Sequence, residues 1–274
     1  SQRAVDPGGS LPETRATMAM SRSTRRPQFF YTTAPLPCPY LSGRTERKLV
    51  TELVGPEAEA LHDRLSHAGF RRSHNIAYAP VCQGCGSCIP IRLATALFTP
   101  DRTQRKILRT NAGVEAFEVP ARATTEQFAL FQRYQAARHG DGDMAGMGFY
   151  DYRAMVEDTP IETMMVEFRD LDDSLVACCL TDRLSDGLSA VYSFYDPTRP
   201  RRSFGTQVVL WLVERAREVA LPFVYLGYWV PESRKMAYKV RFAAAEVLVA
   251  GSWRPVAEAE TLIGVARVPE ATEA

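Results

Sequence analysis

Cys82, Cys85 and Cys88 stand at strict intervals of three in "VCQGCGSCIP". Thiols at that spacing grip a metal ion readily, but three of them leave a tetrahedral site one ligand short. The fourth is expected at Cys38, in "APLPCPYLSGR", where flanking prolines stiffen the loop and help hold a thiolate in place. A C-x-x-C-x-x-C run matches the way an iron–sulfur cubane is held, each thiolate meeting a different iron. Zinc sites usually separate their paired arms more widely. Both an iron–sulfur cluster and Zn are therefore candidates, the cluster being favoured. Cys178 and Cys179 are adjacent in a strand-like run, so they point to opposite faces and read as small buried hydrophobes.

A second concentration of chemistry lies between residues 199 and 241. Nine basic residues there face three acidic ones, a local excess of +6 on a chain whose formal net charge is +1. "DPTRPRRSFGTQ" sets Arg199, Arg201 and Arg202 just before a helix start, where cations oppose the helix dipole. An anion docked at that N-terminus would reverse the sign, with Ser203 and Gly205 letting the backbone approach. In "SRKMAYKVRF", read as a helix, Arg234, Tyr238 and Arg241 share one face. Lys235 and Lys239 are like charges at i,i+4, and Met236, Ala237 and Val240 face the core. Rings interleaved with cations, here Tyr225, Tyr228, Trp229 and Tyr238, suit stacking on a nucleic-acid base beside phosphate contacts.

The elements that must position these residues follow from periodicity. Residues 1–27 are polar, dotted with Gly and Pro, and are expected to form a disordered arm, with Met18 or Met20 a candidate for the natural start. Residues 28–110 make an N-terminal Cys-rich domain with one clear helix, from about Pro56 to Gly69. From Asn111 the pattern becomes regular. "TTEQFALFQRYQAARH" is a helix with Thr124 and Gln127 at capping-box spacing, and a short helix follows Asp151. Three strand-like runs come next, the last two joined at Asp186-Gly187. The helix "TQVVLWLVERAREVA", the strand "FVYLGYW", the helix "SRKMAYKVRF" and a final strand complete a domain over 111–255, followed by a loosely held tail over 256–274. A meander followed by strand–helix–strand units predicts a mixed α/β (α+β) sheet.

Composition narrows the class. With 46% hydrophobic and 24% charged residues, the chain reads as an ordinary globular protein. No apolar run approaches the roughly 18–20 residues of a membrane span, and no signal peptide opens the chain, so the expected compartment is cytoplasmic. Six cysteines are too sparse for a secreted disulfide scaffold.

"YTTAPLPCPYLSGR", "GFRRSH", "VCQGCGSCIPIR", "RHGDGDM", "AVYSFYDP" and "YLGYWVPESRKMAYKVRF" resemble the bacterial aspartate/glutamate leucyltransferases, relatives of the arginyl-tRNA–protein transferases. The resemblance runs from about residue 29 to 254. It implies a GNAT-like acyltransferase fold in the regular half. It also implies transfer of an amino acid from aminoacyl-tRNA to the N-terminal Asp or Glu of proteins, marking them for degradation in the N-degron pathway. Leucine is the implied donor, with arginine the alternative. The tRNA 3′ end would then meet Arg199, Arg201, Arg202, Ser203, Gly205, Tyr228, Trp229, Tyr238 and Arg241.

Such a reaction needs a neutral α-amine and a stabilised oxyanion. Asp196, at a strand end, is the candidate proton acceptor, its alternative being a turn aspartate before Pro197. Tyr192 and Ser193 alternate along that strand, so one of them faces the site. Arg71, Arg72, Arg234 and Lys235 are the candidate readers of an acidic N-terminus, and only one of the neighbours Arg71 and Arg72 is expected to serve. His139 reads as a structural loop histidine. Two rivals remain. A coenzyme A-dependent acetyltransferase would want a Gly-rich phosphate loop, and "RRSFGT" has one glycine, so no coenzyme A is expected. An iron–sulfur or redox regulator binding nucleic acid would lack catalysis, but no DNA-reading motif supports it, and neither DNA nor membrane is an expected partner.

Overall fold

The computed structural model describes residues 27–138, 140 and 142–263. The expected arm up to residue 26, His139, and the expected tail beyond residue 263 lie outside the described residues. The chain opens with three two-residue strands, β1 (Tyr31–Thr32), β2 (Leu36–Pro37) and β3 (Thr45–Glu46), then β4 (Lys48–Glu52), helix α1 (Ala58–His67), β5 (Arg71–Ser73) and β6 (Ile76–Pro80). Strands β1, β4, β6 and β5 form an antiparallel sheet in that order. Ala58 and Leu65 of α1 bury against Leu53, Ala77 and Ile161, a small separate core. The pair β2–β3 braces the loop that carries Cys38.

After the cysteine run comes β7 (Ile89–Ala94), then α2 (Arg102–Thr110), β8 (Glu115–Pro120), α3 (Thr125–Arg138), α4 (Phe149–Glu157), β9 (Thr163–Arg169), β10 (Leu175–Arg183) and β11 (Gly187–Tyr195). The chain continues through α5 (Phe204–Glu218), β12 (Phe223–Trp229), β13 (Ala245–Val249), β14 (Ser252–Pro255) and α6 (Val256–Ile263). Eight strands make one mixed sheet in the order β14-β13-β7-β12-β11-β10-β9-β8. All neighbours are antiparallel except β11 and β12. The mixed α/β sheet that periodicity predicts is therefore present. Strand β7 lies in the middle of it, so the residues before 110 do not form a body separate from the sheet.

Two cores flank the sheet. Leu212, Val213 and Ala216 of α5 pack with Val166, Cys179 and Val224. Leu130 and Phe131 of α3 and Tyr152 of α4 pack with Met165, Cys178 and Phe194. Cys178 and Cys179 thus fall in different cores, as strand alternation requires. The Thr124/Gln127 capping box forms, with Gln127 N donating to Thr124 Oγ1 and Thr124 N to Gln127 Oε1, both at 3.1 Å.

Three elements depart from expectation. Asp101 and Gln104 cap α2, a helix hidden in the sequence by its many basic residues. Residues 256–263, expected as loose tail, form α6, with Ala259 buried in the larger core. The segment read as the helix "SRKMAYKVRF" makes only a short 3-10 turn, Ala237–Arg241. Tertiary hydrogen bonds decide this last case, because Lys239 turns inward to the carbonyls of β12 and overrides helix propensity.

Candidate active site

β11 and β12 pair only where Gly187, Leu188 and Ser189 face Phe223, Val224 and Tyr225. Past that point they diverge, and side chains from two other segments enter the gap. Arg71 reaches in from β5, its Nη2 donating to Ala190 O at 2.9 Å and Val191 O at 2.8 Å. From the turn after β12, Lys239 Nζ donates to Leu226 O at 2.7 Å and Tyr228 O at 2.8 Å. Burial, and then the charge of Arg71, hold the Lys239 ammonium well below the usual lysine range. Sequence reasoning counted Lys239 among the charges of a helix and missed this role. No local pattern marks a lysine that leaves its own turn to bind a distant strand.

Arg72 goes the other way. Its Nε and Nη2 each donate to Asp182 at 2.7 Å, its Nη1 donates to His74 O at 2.8 Å, and Thr163 Oγ1 donates to Asp182 at 2.8 Å. Both partners' side chains are 0% exposed. His62 lies 3.6 Å from the same carboxylate, and burial lowers its pKa below the ordinary histidine value. Arg72 is thus committed to a closed network and cannot read an acceptor. Arg234 is exposed and has no partner among the described residues, while Lys235 Nζ donates to Arg138 O at 3.4 Å.

At the far end of β11, Tyr195 packs against the start of α5. A Cβ on Gly205 would lie 3.0 Å from the Tyr195 ring, so this glycine permits a close approach. Tyr134 meets Tyr195 edge-on at 4.9 Å between centroids, and the Arg138 guanidinium lies 5.9 Å from that ring. Tyr238, 39% exposed and 6.3 Å from the Phe242 ring, lies close enough to Tyr195 to feel its charge and belongs to this patch. Ser203 sits in the left-handed region at φ 50°, and its carbonyl accepts from Thr206 N and Gln207 N. The amides of Phe204 and Gly205 take no backbone partner among the described residues. A helix start flanked by rings and cations can receive an anion and a base.

Several expected site residues have other employment. Arg199 and Arg202 both bind Asp170, at 2.8 and 3.2 Å, and Arg202 also donates to Asn111, so of the three arginines only Arg201 is exposed and unpaired among the described residues. Asp196 accepts from Thr198 N and Oγ1 at 3.0 and 2.7 Å and pairs with Arg199 at 3.4 Å, the contacts of a turn aspartate. Tyr192 packs on Phe131 and Phe194, and its hydroxyl accepts from Gln135 at 2.6 Å. Ser193, next along the strand, is half-buried and points the other way. The Tyr228 hydroxyl donates to Gly69 O at 3.0 Å, and Trp229 is part of the larger core, so neither can stack on a base. Arg241 is exposed.

Cys38, Cys82, Cys85 and Cys88 line one hollow with Tyr40, Arg44, Tyr78 and Tyr228. Burial, and then the other three cysteines, push the Cys88 thiol up to about 12. Ser87, inside the cysteine run, donates to Glu232 at 3.1 Å and so ties that run to the loop of Arg234 and Lys235. Among the described residues, only Asp63, His67 and Asp186 bring three ligand-type atoms within 4.8 Å of one another.

With this geometry in hand, the relatives can be placed. Residues 36–106 match the family described as "Arginine-tRNA-protein transferase, N terminus", and residues 126–249 match its C terminus. An "Aspartate/glutamate leucyltransferase" of Granulibacter bethesdensis is 66% identical over 88% of this chain and 90% of its own length. A protein of the same name from Gluconacetobacter diazotrophicus is 64% identical over 85% of this chain and 90% of its own. Among solved structures, that of L-PGS from Bacillus licheniformis is a remote likeness, with 11% identity, a TM-score of 0.42, and coverage of 65% of this chain and 52% of that one.

Proposed function

The chain belongs to the arginine-tRNA-protein transferase family, and on that premise we propose that it moves leucine from Leu-tRNA to the N-terminal Asp or Glu of proteins. The observation that carries the donor and acceptor is the name shared by relatives more than 60% identical across nearly their whole length. In the reaction the acceptor's α-amine attacks the carbonyl carbon of the aminoacyl ester. A C–N bond forms, the ester C–O bond breaks, the amine loses a proton and the ribose oxygen of the tRNA gains one. The ester is already activated, so positioning and oxyanion stabilisation supply most of the catalysis. The start of α5, with Gly205, Arg201, Tyr195, Tyr238 and Arg138, supports a reading in which the tRNA 3′ end lies there. Marking of proteins for degradation and a cytoplasmic location belong to the same reading. No helix among the described residues is long and apolar enough to cross a membrane.

The four cysteines fit a thiolate-bound metal group. They share one hollow, and Cys88 is raised by burial and then by the other three thiols, a repulsion that a cation relieves. A tetrahedral zinc at about 2.3 Å from each sulfur would need sulfurs about 3.8 Å apart. The C-x-x-C-x-x-C spacing, rather than any sulfur separation, is what favours a multi-iron cluster. Bound there, such a group would clip the Cys38 loop to β7 and order the wall behind Arg71. Anaerobic purification with metal analysis and visible absorption tests it; folded, active protein free of iron and zinc refutes it.

The deciding experiment incubates the protein with labelled Leu-tRNA or Arg-tRNA and peptides beginning Asp, Glu, Lys or Arg. Label from Leu-tRNA on the acidic-start peptides alone is expected. Label from Arg-tRNA instead reassigns the donor, and label from neither overturns the reading.

A further inference from the structure

The gap between β11 and β12 is a built feature. Where pairing stops, both strands carry one extra residue: Val191 in β11 against β10, and Leu226 in β12 against β7. Bulges turn peptide groups out of the ladder and bend the strand. Here they aim carbonyls into the gap from both sides, and each side is met by a basic side chain. Ala190 O and Val191 O accept from Arg71, and Leu226 O and Tyr228 O accept from Lys239. Gly227 makes the arrangement possible, since its φ is +77° and a Cβ there would lie 1.5 Å from Arg71 Nη1.

The charge in this niche is unbalanced. Arg71 is the only charged group among the described residues that acts appreciably on Lys239, and no carboxylate bonds either side chain. Arg71 Nε and Nη1 donate to nothing among the described residues, and Arg71 as a whole is half-buried. Lys239 keeps one valence beyond its two carbonyls. A guanidinium and a lysine amine fixed on backbone oxygens, with donors to spare on Arg71 and no counter-charge, are matched by an oxygen anion that brings a proton to the amine.

We propose that Arg71 and Lys239 form an oxyanion-binding niche of the transfer site. The inference rests on the transferase reading above. The anion is either the side-chain carboxylate of the acceptor's first residue or the oxyanion that develops on the ester carbonyl during attack. Its arrival draws a proton onto Lys239 from solvent and completes the niche.

The test compares wild type with Arg71→Lys, Lys239→Met and Gly227→Ala, each first shown to melt cooperatively. Gly227→Ala displaces Arg71 while leaving both cations in the chain. Transfer is measured to peptides beginning Asp and Asn, and acetate is titrated calorimetrically in buffers of different ionisation enthalpy. Loss of about 30-fold or more in kcat/KM for Asp-start peptides, with discrimination over Asn lost, identifies the carboxylate. An equal loss of kcat with both peptides identifies the ester oxyanion. Wild-type rates and discrimination in all three variants overturn the niche and leave the transferase reading intact. Acetate binding needs no tRNA. If wild type transfers nothing, acetate uptake with a proton, abolished by Lys239→Met, still supports the niche, and absence of acetate binding then overturns it.

Discussion

Arg71 and Arg72 are neighbours on a three-residue strand, yet they serve opposite ends of electrostatic design. Arg72 is fully buried in a compensated network, with Asp182 bidentate across it and Thr163, His74 and His62 around the pair. Arg71 is half-buried and bonds only backbone oxygens, and its charge acts on the Lys239 amine across the gap. Alternation along a strand sends the two side chains to opposite faces, and the faces decide everything else. Removing one partner of a compensated buried pair leaves a costly unpaired charge, whereas an uncompensated cation can be matched by an incoming anion.

The comparison can be broken at its strongest point first. Arg72→Ala strands Asp182 as an unpaired buried charge and should cost about 3–5 kcal/mol in urea unfolding. A loss under about 1 kcal/mol would mean that water reaches Asp182 and that the network is not closed.

Gly227→Ala should cost on the order of 1–3 kcal/mol, because alanine is strained at positive φ and meets Arg71. Combining it with Arg71→Ala should give less than the sum of the two losses, since the clash partner is gone. Additive losses would show that Arg71 does not sit over Gly227 in solution.

Lys239 sharpens the contrast through pH. Its amine is uncharged in the folded protein at pH values where the unfolded chain carries the proton, so unfolding takes up a proton. Stability should therefore rise with pH from the depressed folded pKa to about 10.4, by up to about 1.4 kcal/mol per unit. Urea melts over the pH units just below the unfolded pKa should show that slope in wild type and a flatter one in Lys239→Met. Equal slopes would place the charge on Lys239 in the folded state.

The smallest stability effects are expected at the unpaired surface cations. Arg201→Ala and Arg234→Ala should each stay within about 0.5 kcal/mol of wild type. If the tRNA backbone runs past α5, each variant should lower the log–log salt slope of tRNA binding by about 0.7–0.9. An unchanged slope removes that residue from the tRNA path.

Local sequence determined a good deal of this molecule. The period of the apolar residues set α1, α3, α5 and the strands from β9 to β12, because burial of one face is a local requirement that the pattern records directly. The cysteine spacing and Cys38 marked four residues that the fold brings to one hollow. Alternation alone made Arg71 and Arg72 diverge. Tertiary structure decided which of them is open, since Asp182 lies 110 residues away in sequence. It also drew Lys239 out of an apparent helix, paired Arg199 and Arg202 with Asp170, and sank Trp229 into the core. Each of these outcomes depends on a carbonyl, carboxylate or apolar wall supplied by a remote strand, and no pattern of neighbours along the chain encodes which remote group will be there.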